Sequence, residues 1–121
     1  MGKGDDIHER LINLAVIKMA LCRKLPPTQE GRHVRSQLLR SGTSSAANYA
    51  EVRGAESNDD FIHKLGVVLK ELNETATWLE IARRSKLLTF DETFGISEEC
   101  RQLCRIMTAS ITTVKRRRRS V

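Results

Sequence analysis

Aromatic side chains are scarce in this sequence, with five among 121 positions. Proteins that hold single-stranded nucleic acid by base stacking need several such side chains along one surface. The composition therefore disfavours a stacking platform. The five aromatic residues are Tyr49, Phe61, Trp78, Phe90 and Phe94.

A membrane-spanning stretch and an export signal are also missing from the sequence. The most apolar run, residues 12–22, is interrupted by Asn13 and Lys18 and is far shorter than the span of about 20 residues that a bilayer requires. Asp5 and Asp6 lie where a signal peptide carries bases. We expect a cytoplasmic protein.

Proline is rare as well, and its two copies are adjacent, which leaves long stretches free to form helices. Ahead of Pro26, mostly apolar residues recur in alternating steps of four and three. This spacing predicts a first helix with Asp5 or Asp6 as its N-cap. Thr28 is the predicted cap of a second helix that runs to about Arg53. The stripe of the first helix consists of Ile7, Leu11, Leu14, Lys18, Leu21 and Leu25.

Two further helices are predicted from the same spacing. Ser57, with Asp60 as a capping-box partner, marks the start of a third helix of about 28 residues. Residues 86–96 are predicted to be a connection, and a fourth helix is expected to start at Ser97. The stripe of the third helix consists of Phe61, Leu65, Val68, Leu72, Thr75, Leu79 and Ala82.

Small residues at positions 41–47 change the character of the second helix. Gly42 costs a helix about 1 kcal/mol relative to alanine, which predicts compensation by close approach of a neighbouring helix. Asn48 is expected to form a hydrogen bond to that neighbour. Four amphipathic helices with short connections predict an all-α fold, an antiparallel up-down-up-down four-helix bundle. The predicted domain covers residues 1–114, followed by a basic tail at residues 115–121.

Two segments of the chain resemble a known family. Residues 37–51 read QLLRSGTSSAANYAE, and residues 61–75 read FIHKLGVVLKELNET, followed shortly by Trp78-Leu-Glu. Together they are similar to the four helix bundle protein family, which includes proteins encoded in intervening sequences of bacterial 23S ribosomal RNA genes, often labelled S23 ribosomal proteins. Accessory variability proteins of diversity-generating retroelements are a related branch. The resemblance covers about residues 7–110, outside the basic tail.

The resemblance implies a closed four-helix bundle that assembles into a homopentameric barrel and has no established enzymatic activity. In the retroelement branch, the pentamer binds a reverse transcriptase and nucleic acid. This chain matches the general family more closely than that branch.

Motifs for catalysis and for metal binding are absent from the sequence. His8, His33 and His63 occupy different segments, and none lies beside a cysteine or serine in a nucleophile motif. Cys100 and Cys104 are one helical turn apart, but a zinc site needs two further ligands and no nearby histidine offers them. We predict a protein that is not an enzyme, has no cofactor and keeps its cysteines reduced.

The net charge of +6 is unevenly distributed along the chain. Residues 115–119 are five consecutive bases, residues 10–40 hold seven bases and one acid, and residues 51–80 hold seven acids and three bases. Clustered bases bind phosphates by releasing counterions, although bases at a helix C-terminus also complement its dipole and aid solubility. We predict a homo-oligomeric scaffold that binds RNA or DNA with little base readout. The predicted contacts are Arg10, Lys18, Arg23, Lys24, Arg32, Arg35, Arg40, Lys115, Arg116, Arg117, Arg118 and Arg119.

An alternative function is that of an accessory subunit that docks a reverse transcriptase, or another basic partner, on the acidic third helix. Neighbouring genes discriminate between the two. A reverse transcriptase gene with a template repeat favours docking, whereas a ribosomal RNA operon favours the intervening-sequence interpretation. Neither function requires a membrane.

Overall fold

Four helices account for almost all of the described chain. The structure is a computed structural model that describes residues 3–120, apart from the side chains at positions 3, 42, 43, 118 and 120. The close approach predicted at Gly42 therefore lies outside the described residues. The helices are α1 (Lys3–Cys22), α2 (Gln29–Val52), α3 (Asn58–Arg84) and α4 (Phe90–Ser120).

The helices pack in the order in which they occur in the chain. Each contacts the next, and α4 returns to contact α1, whereas α1 and α3 are not neighbours within residues 3–120. Short connections make consecutive helices antiparallel, so α1 and α3 occupy opposite corners. The predicted all-α, four-helix fold is confirmed. None of the helices in the described range combines the length and the apolar character needed to cross a bilayer.

Side-chain caps fix the starts of α2 and α3 at the predicted residues. The Thr28 hydroxyl accepts a hydrogen bond from the backbone N–H three residues later at 3.1 Å. The Ser57 hydroxyl accepts one from the N–H of Asp60 at 3.0 Å. The Asp60 carboxylate in turn accepts a bond from the N–H of Glu56, one residue before the cap, at 3.1 Å.

α1 begins earlier than predicted. Its first residue is Lys3, so Asp5 and Asp6 lie in the first helical turn rather than at the N-cap. Carboxylates in a first turn interact favourably with the helix dipole, which explains their position. Asp5 also forms an ion pair with Arg53 at the end of α2, with 2.5 Å between the charged atoms.

α4 also begins earlier, and the predicted connection over residues 86–96 is wrong beyond Thr89. The reason is a second capping box, which the sequence analysis missed. The Thr89 N–H donates to the Glu92 carboxylate at 2.9 Å, and the Glu92 N–H donates to the Thr89 hydroxyl at 3.1 Å. Because both bonds satisfy N–H groups without helical partners, the helix starts at Phe90 and continues through Ser97.

The predicted stripes form the core of the bundle. All six stripe residues of α1 are buried, and the α3 stripe is buried from Leu65 to Ala82. Polar contacts join α2 to α3 in the middle of this core. The buried hydroxyls of Ser41 and Thr75 are 3.0 Å apart. The bond predicted for Asn48 is confirmed, since its amide donates to the carboxylate of Glu71 on α3 at 2.7 Å.

Candidate nucleic-acid interface

The bases predicted on α1 and α2 do not form one surface, because the fold uses several of them. The Arg10 guanidinium donates to both carboxylate oxygens of Glu99 on α4, at 3.0 and 2.7 Å. Arg35 donates to the backbone oxygens of Cys22 at 3.2 Å and Leu25 at 2.8 Å. Carbonyl groups at a helix C-terminus lack helical partners, so Arg35 caps α1. Both arginines hold neighbouring helices together.

Lys18 lies inside the core. Its side chain is 0% exposed, and no hydrogen-bond partner reaches its Nζ among the described residues. Burial lowers the pKa of Lys18 from 10.5 to about 8, and the negative charge of Glu71 opposes this shift. The prediction that Lys18 contacts phosphate is therefore wrong for the folded chain, while its membership of the α1 stripe is confirmed.

Exposed bases do gather at one end of the bundle, here called the loop end, which carries the α1–α2 and α3–α4 connections. The two connections are adjacent, since Lys24 Nζ lies 3.6 Å from a carboxylate oxygen of Glu92. The end of α3 contributes Arg84, whose side chain is 73% exposed. The exposed bases of the loop end are Arg23, Lys24, Arg32, Arg84 and Lys86.

Two of these loop-end bases were missed by the sequence analysis. Charge counted along the chain places Arg84 and Lys86 far from Arg23. The predicted antiparallel order contained the signal, because α1 and α3 must end on the same side of such a bundle. Lys86 also has a φ of 64°, in the left-handed region that favours glycine. A basic residue thus occupies a position where glycine would be less strained.

Two predicted bases on α2 are exposed but bonded locally. Arg32 donates to the backbone oxygen of Pro27 at 2.7 Å, and Arg40 donates to the side-chain oxygen of Gln37 at 2.7 Å. Both acceptors are uncharged, so neither bond neutralises the arginine. Arg32 belongs to the loop end, whereas Arg40 lies midway along α2.

The bases of the predicted tail are helical and continue α4 without a break. Successive helical residues are rotated by about 100°, so consecutive bases of the tail lie on different sides of the helix axis. The side chain of Arg118 lies outside the described residues. The other four bases, Lys115, Arg116, Arg117 and Arg119, are exposed.

Acidic residues lie around the start of the tail. This tail end of the bundle carries the start of α1, the end of α2 and the start of α3. It holds seven bases and six acids, whereas the loop end holds seven bases and four acids. The tail-end bases are Lys3, Arg53 and residues 115–119, and its acids are Asp5, Asp6, Glu51, Glu56, Asp59 and Asp60. The loop-end bases are the five exposed ones with Arg35 and Arg83, and its acids are Glu30, Glu80, Asp91 and Glu92.

Two of the five acidic side chains of α3 form ion pairs with bases of the same helix. Asp60 lies 3.0 Å from Lys64, and Glu80 lies 2.7 Å from Arg83 and 3.3 Å from Arg84. A basic partner that docks on this helix has to compete with these pairs. Docking of a reverse transcriptase there stays a prediction.

The cysteines are poorly suited to nucleophilic or ligand chemistry. Burial raises the pKa of the Cys100 thiol to about 12 and also raises the pKa of Cys22 and Cys104. The thiolate is the reactive form, so these groups are inert near neutral pH. Across the described part of the chain, no group of three or more His, Cys, Asp and Glu side chains is placed to hold a metal ion.

The four helices and their polar ends define the molecule as an all-α four-helix protein. Residues 6–109 match the family of 23S rRNA-intervening sequence proteins, and the chain belongs to that family. It is also similar to the crystal structure of a protein with unknown function from the S23 ribosomal protein family of Bacteroides thetaiotaomicron VPI-5482, with 33% identity and a TM-score of 0.80. That match covers 87% of this chain and 97% of the other. No curated protein matches this chain significantly. The predicted family is confirmed.

Proposed function

We propose that this protein is a non-enzymatic, homo-oligomeric helical scaffold that binds RNA or DNA through phosphate contacts with little sequence readout. The observation that carries the proposal is the exposure of two groups of bases, one at each end of the bundle. Both groups face solvent, where their positive charges can contact a phosphate backbone.

The tail is the stronger of the two surfaces. Its bases are consecutive, and they occupy about one and a half turns of helix at about 1.5 Å per residue. Each phosphate neutralised by a base steepens the log–log dependence of affinity on salt by about 0.9 for duplex DNA and about 0.7 for a single strand. The tail can supply up to five such contacts per chain.

Readout of base sequence is not favoured by this arrangement. Sequence is read by side chains aimed at base edges in a groove, whereas contacts to phosphates position the protein without discriminating between sequences. The loop-end bases come from three separate chain segments, so they do not form one recognition helix. Association of several copies would repeat both basic surfaces and raise the local positive charge.

The experiment that tests the proposal is a titration of fluorescently labelled RNA and DNA, matched in length and sequence, at several salt concentrations. We expect both to bind at about 50 mM salt, and we expect affinity to fall steeply as salt increases. Shuffling the sequence should change affinity little. Absence of binding at low salt, or affinity that is indifferent to salt, contradicts the proposal.

A further inference from the structure

The exposed apolar side chains form two groups on different sides of the bundle. Within the described residues, eight large hydrophobic side chains are strongly exposed, four on α1 and four on α3 and the first turns of α4. The α1 ridge consists of Ile12, Val16, Ile17 and Met19, which are 36 to 60% exposed. The α3/α4 patch consists of Val67, Ile81, Phe90 and Phe94, which are 38 to 58% exposed.

The α1 ridge has no charged residue on its outer face over residues 12–20. The exposed positions there are apolar apart from Asn13, and the one base in the stretch, Lys18, is buried. A helix on the surface of a monomer normally carries charged residues on its outer side, and a helix that is apolar all round is buried. The middle of α1 therefore has the composition of a helix that is covered on two opposite sides. Its own bundle covers only one of these sides.

Three of the four patch residues, Ile81, Phe90 and Phe94, line hollows in the surface. Phe90 and Phe94, with ring centroids 5.3 Å apart, border a groove of about 590 Å³ between α3 and α4. Two further hollows on the outer face of α3 adjoin this groove at Asn73, and Ile81 lines both of them. Together they form an extended depression that can receive a helix.

The charges on the rim of the groove are balanced. Glu80 pairs with Arg83 at 2.7 Å on α3, and Glu98 pairs with Arg101 on α4. An uncharged ridge can enter between these pairs without leaving a charge buried and unpaired. A strongly charged partner helix gains nothing from such a rim.

We infer that copies of this chain associate head to tail, with the α1 ridge of one copy seated in the α3/α4 patch of the next. Because α1 and α3 occupy opposite corners, one copy cannot cover its own patch with its own ridge. Contact of ridge with ridge would leave the aromatic groove in water, whereas contact of ridge with patch covers both groups. The interface is thus heterologous, and every copy uses both surfaces. The inference rests on the proposed homo-oligomer and specifies its surfaces.

The test is a mixing experiment with two charged variants, followed by light scattering in the absence of nucleic acid. Val16→Lys disrupts the ridge and leaves the patch intact, whereas Phe94→Lys does the reverse. We expect the wild type to exceed two copies and each variant alone to have the single-chain mass of 13.7 kDa. An equimolar mixture should give a species of twice that mass, because one intact ridge meets one intact patch. The matched control Ala50→Lys, at an exposed position on α2, should keep the mass of the wild type.

Other results overturn the inference. A wild-type chain that stays at 13.7 kDa has no partner in itself. A Phe94→Lys variant that stays associated would indicate contact of ridge with ridge, and an associated Val16→Lys variant would indicate contact of patch with patch. A mixture that remains monomeric, or a control that dissociates, shows that the two surfaces are not complementary.

Circular dichroism and thermal melting verify that each variant is folded. If either variant is unfolded, Met19→Lys and Ile81→Lys change the same two surfaces at side chains that are 42 and 41% exposed. Because the experiment contains no nucleic acid, its result is separate from that of the salt titration. If the wild type does not bind nucleic acid but the two variants associate when mixed, the proposed function is rejected and the proposed interface is supported.

Discussion

The two ends of the bundle carry the same number of basic residues in different forms. At the tail end, five of the seven are consecutive on one helix. At the loop end they come from the α1–α2 connection, the first turns of α2, and the end of α3 with the connection that follows it. The tail-end bases are consecutive in the sequence, whereas the loop-end bases come together only when the chain folds. Charge counted along a chain is therefore not the charge that a ligand meets.

Three bases of α1 and α2 that are buried or bonded within the fold support the same conclusion. Residues 10–40 are strongly basic in sequence, yet Arg10 is paired with Glu99, Lys18 is buried and Arg35 caps α1. These three bases serve folding and are poor candidates for phosphate contact. If the comparison of the two ends is correct, affinity for nucleic acid should depend on the exposed bases of the ends and not on these three.

Lys18 gives the largest expected effect, because its charge is buried in the core. At pH 7 Lys18 is protonated in the folded and unfolded chains, so the folded chain bears the cost of a buried charge, about 3 kcal/mol for a pKa lowered from 10.5 to about 8. We expect Lys18→Met to raise the free energy of unfolding by about that amount at pH 7, measured by denaturant titration. Affinity for nucleic acid should not change.

The same variant has a defined pH dependence. Between pH 8 and 10.5 the folded wild type loses the Lys18 proton while the unfolded chain keeps it. The free energy of unfolding of the wild type therefore rises relative to that of the variant as pH rises. The Lys18 charge lowers the pKa of Cys22 and Cys100, but burial outweighs it in both, so the lysine proton dominates the difference. The advantage of Lys18→Met should therefore shrink towards zero above about pH 10. An advantage independent of pH, or weaker nucleic-acid binding by the variant, contradicts this account of Lys18.

Truncation after Val114 tests the tail end. We expect affinity at about 50 mM salt to fall on the order of 100-fold, and the salt slope to become shallower by about 3.5 to 4.5. A full-length chain with the five bases at 115–119 changed to glutamine is the matched control, and it should lose as much. Undiminished affinity in both would assign binding to the loop end.

A fourfold variant tests the loop end. Changing Arg23, Lys24, Arg84 and Lys86 to glutamine should lower affinity by about tenfold. The effect is smaller than that of truncation because Lys24 and Arg84 are already partly neutralised by Glu92 and Glu80. Glutamine at Lys70 and Arg105, exposed bases on the sides of the bundle, is the control and should change affinity little. A larger loss than truncation causes would reverse the ranking of the two ends.

Lys86→Gly gives the smallest effect and links charge to strain. Glycine adopts the left-handed conformation of this residue without steric cost, so we expect stability to rise by about 0.5–1 kcal/mol in thermal or denaturant unfolding. Affinity should fall by about twofold through loss of one base. Lys86→Gln removes the base and keeps the strain, so it should lower affinity equally and leave stability unchanged. A Lys86→Gly variant that is less stable than the wild type would contradict this expectation.

Much of the fold follows from the sequence because helical spacing and caps are local signals. Thr28 follows the Pro26-Pro27 pair and Ser57 follows Gly54, and the structure places both caps as predicted. The start of α4 was missed because Gly95 weakened the helical pattern, although Thr89 and Glu92 carried a capping box at the correct spacing.

The candidate site was less predictable, since burial and juxtaposition are not local. Lys18 belongs to an apolar stripe and also to a basic region, and only packing decides between the two. Arg84 and Lys86 join Arg23 through the path of the chain. The exposure of the α1 ridge was likewise not predictable, because in the sequence its residues resemble part of the core-facing stripe of an amphipathic helix.

The most direct test of phosphate binding by the two ends compares the intact chain with a variant that combines truncation after Val114 and the four loop-end substitutions. The measurement is the slope of log affinity against log salt for one labelled RNA and one labelled DNA. The account predicts a steep slope for the intact chain and no measurable salt-dependent binding for the combined variant, with the fold unchanged by circular dichroism. A slope that survives in the combined variant would contradict it.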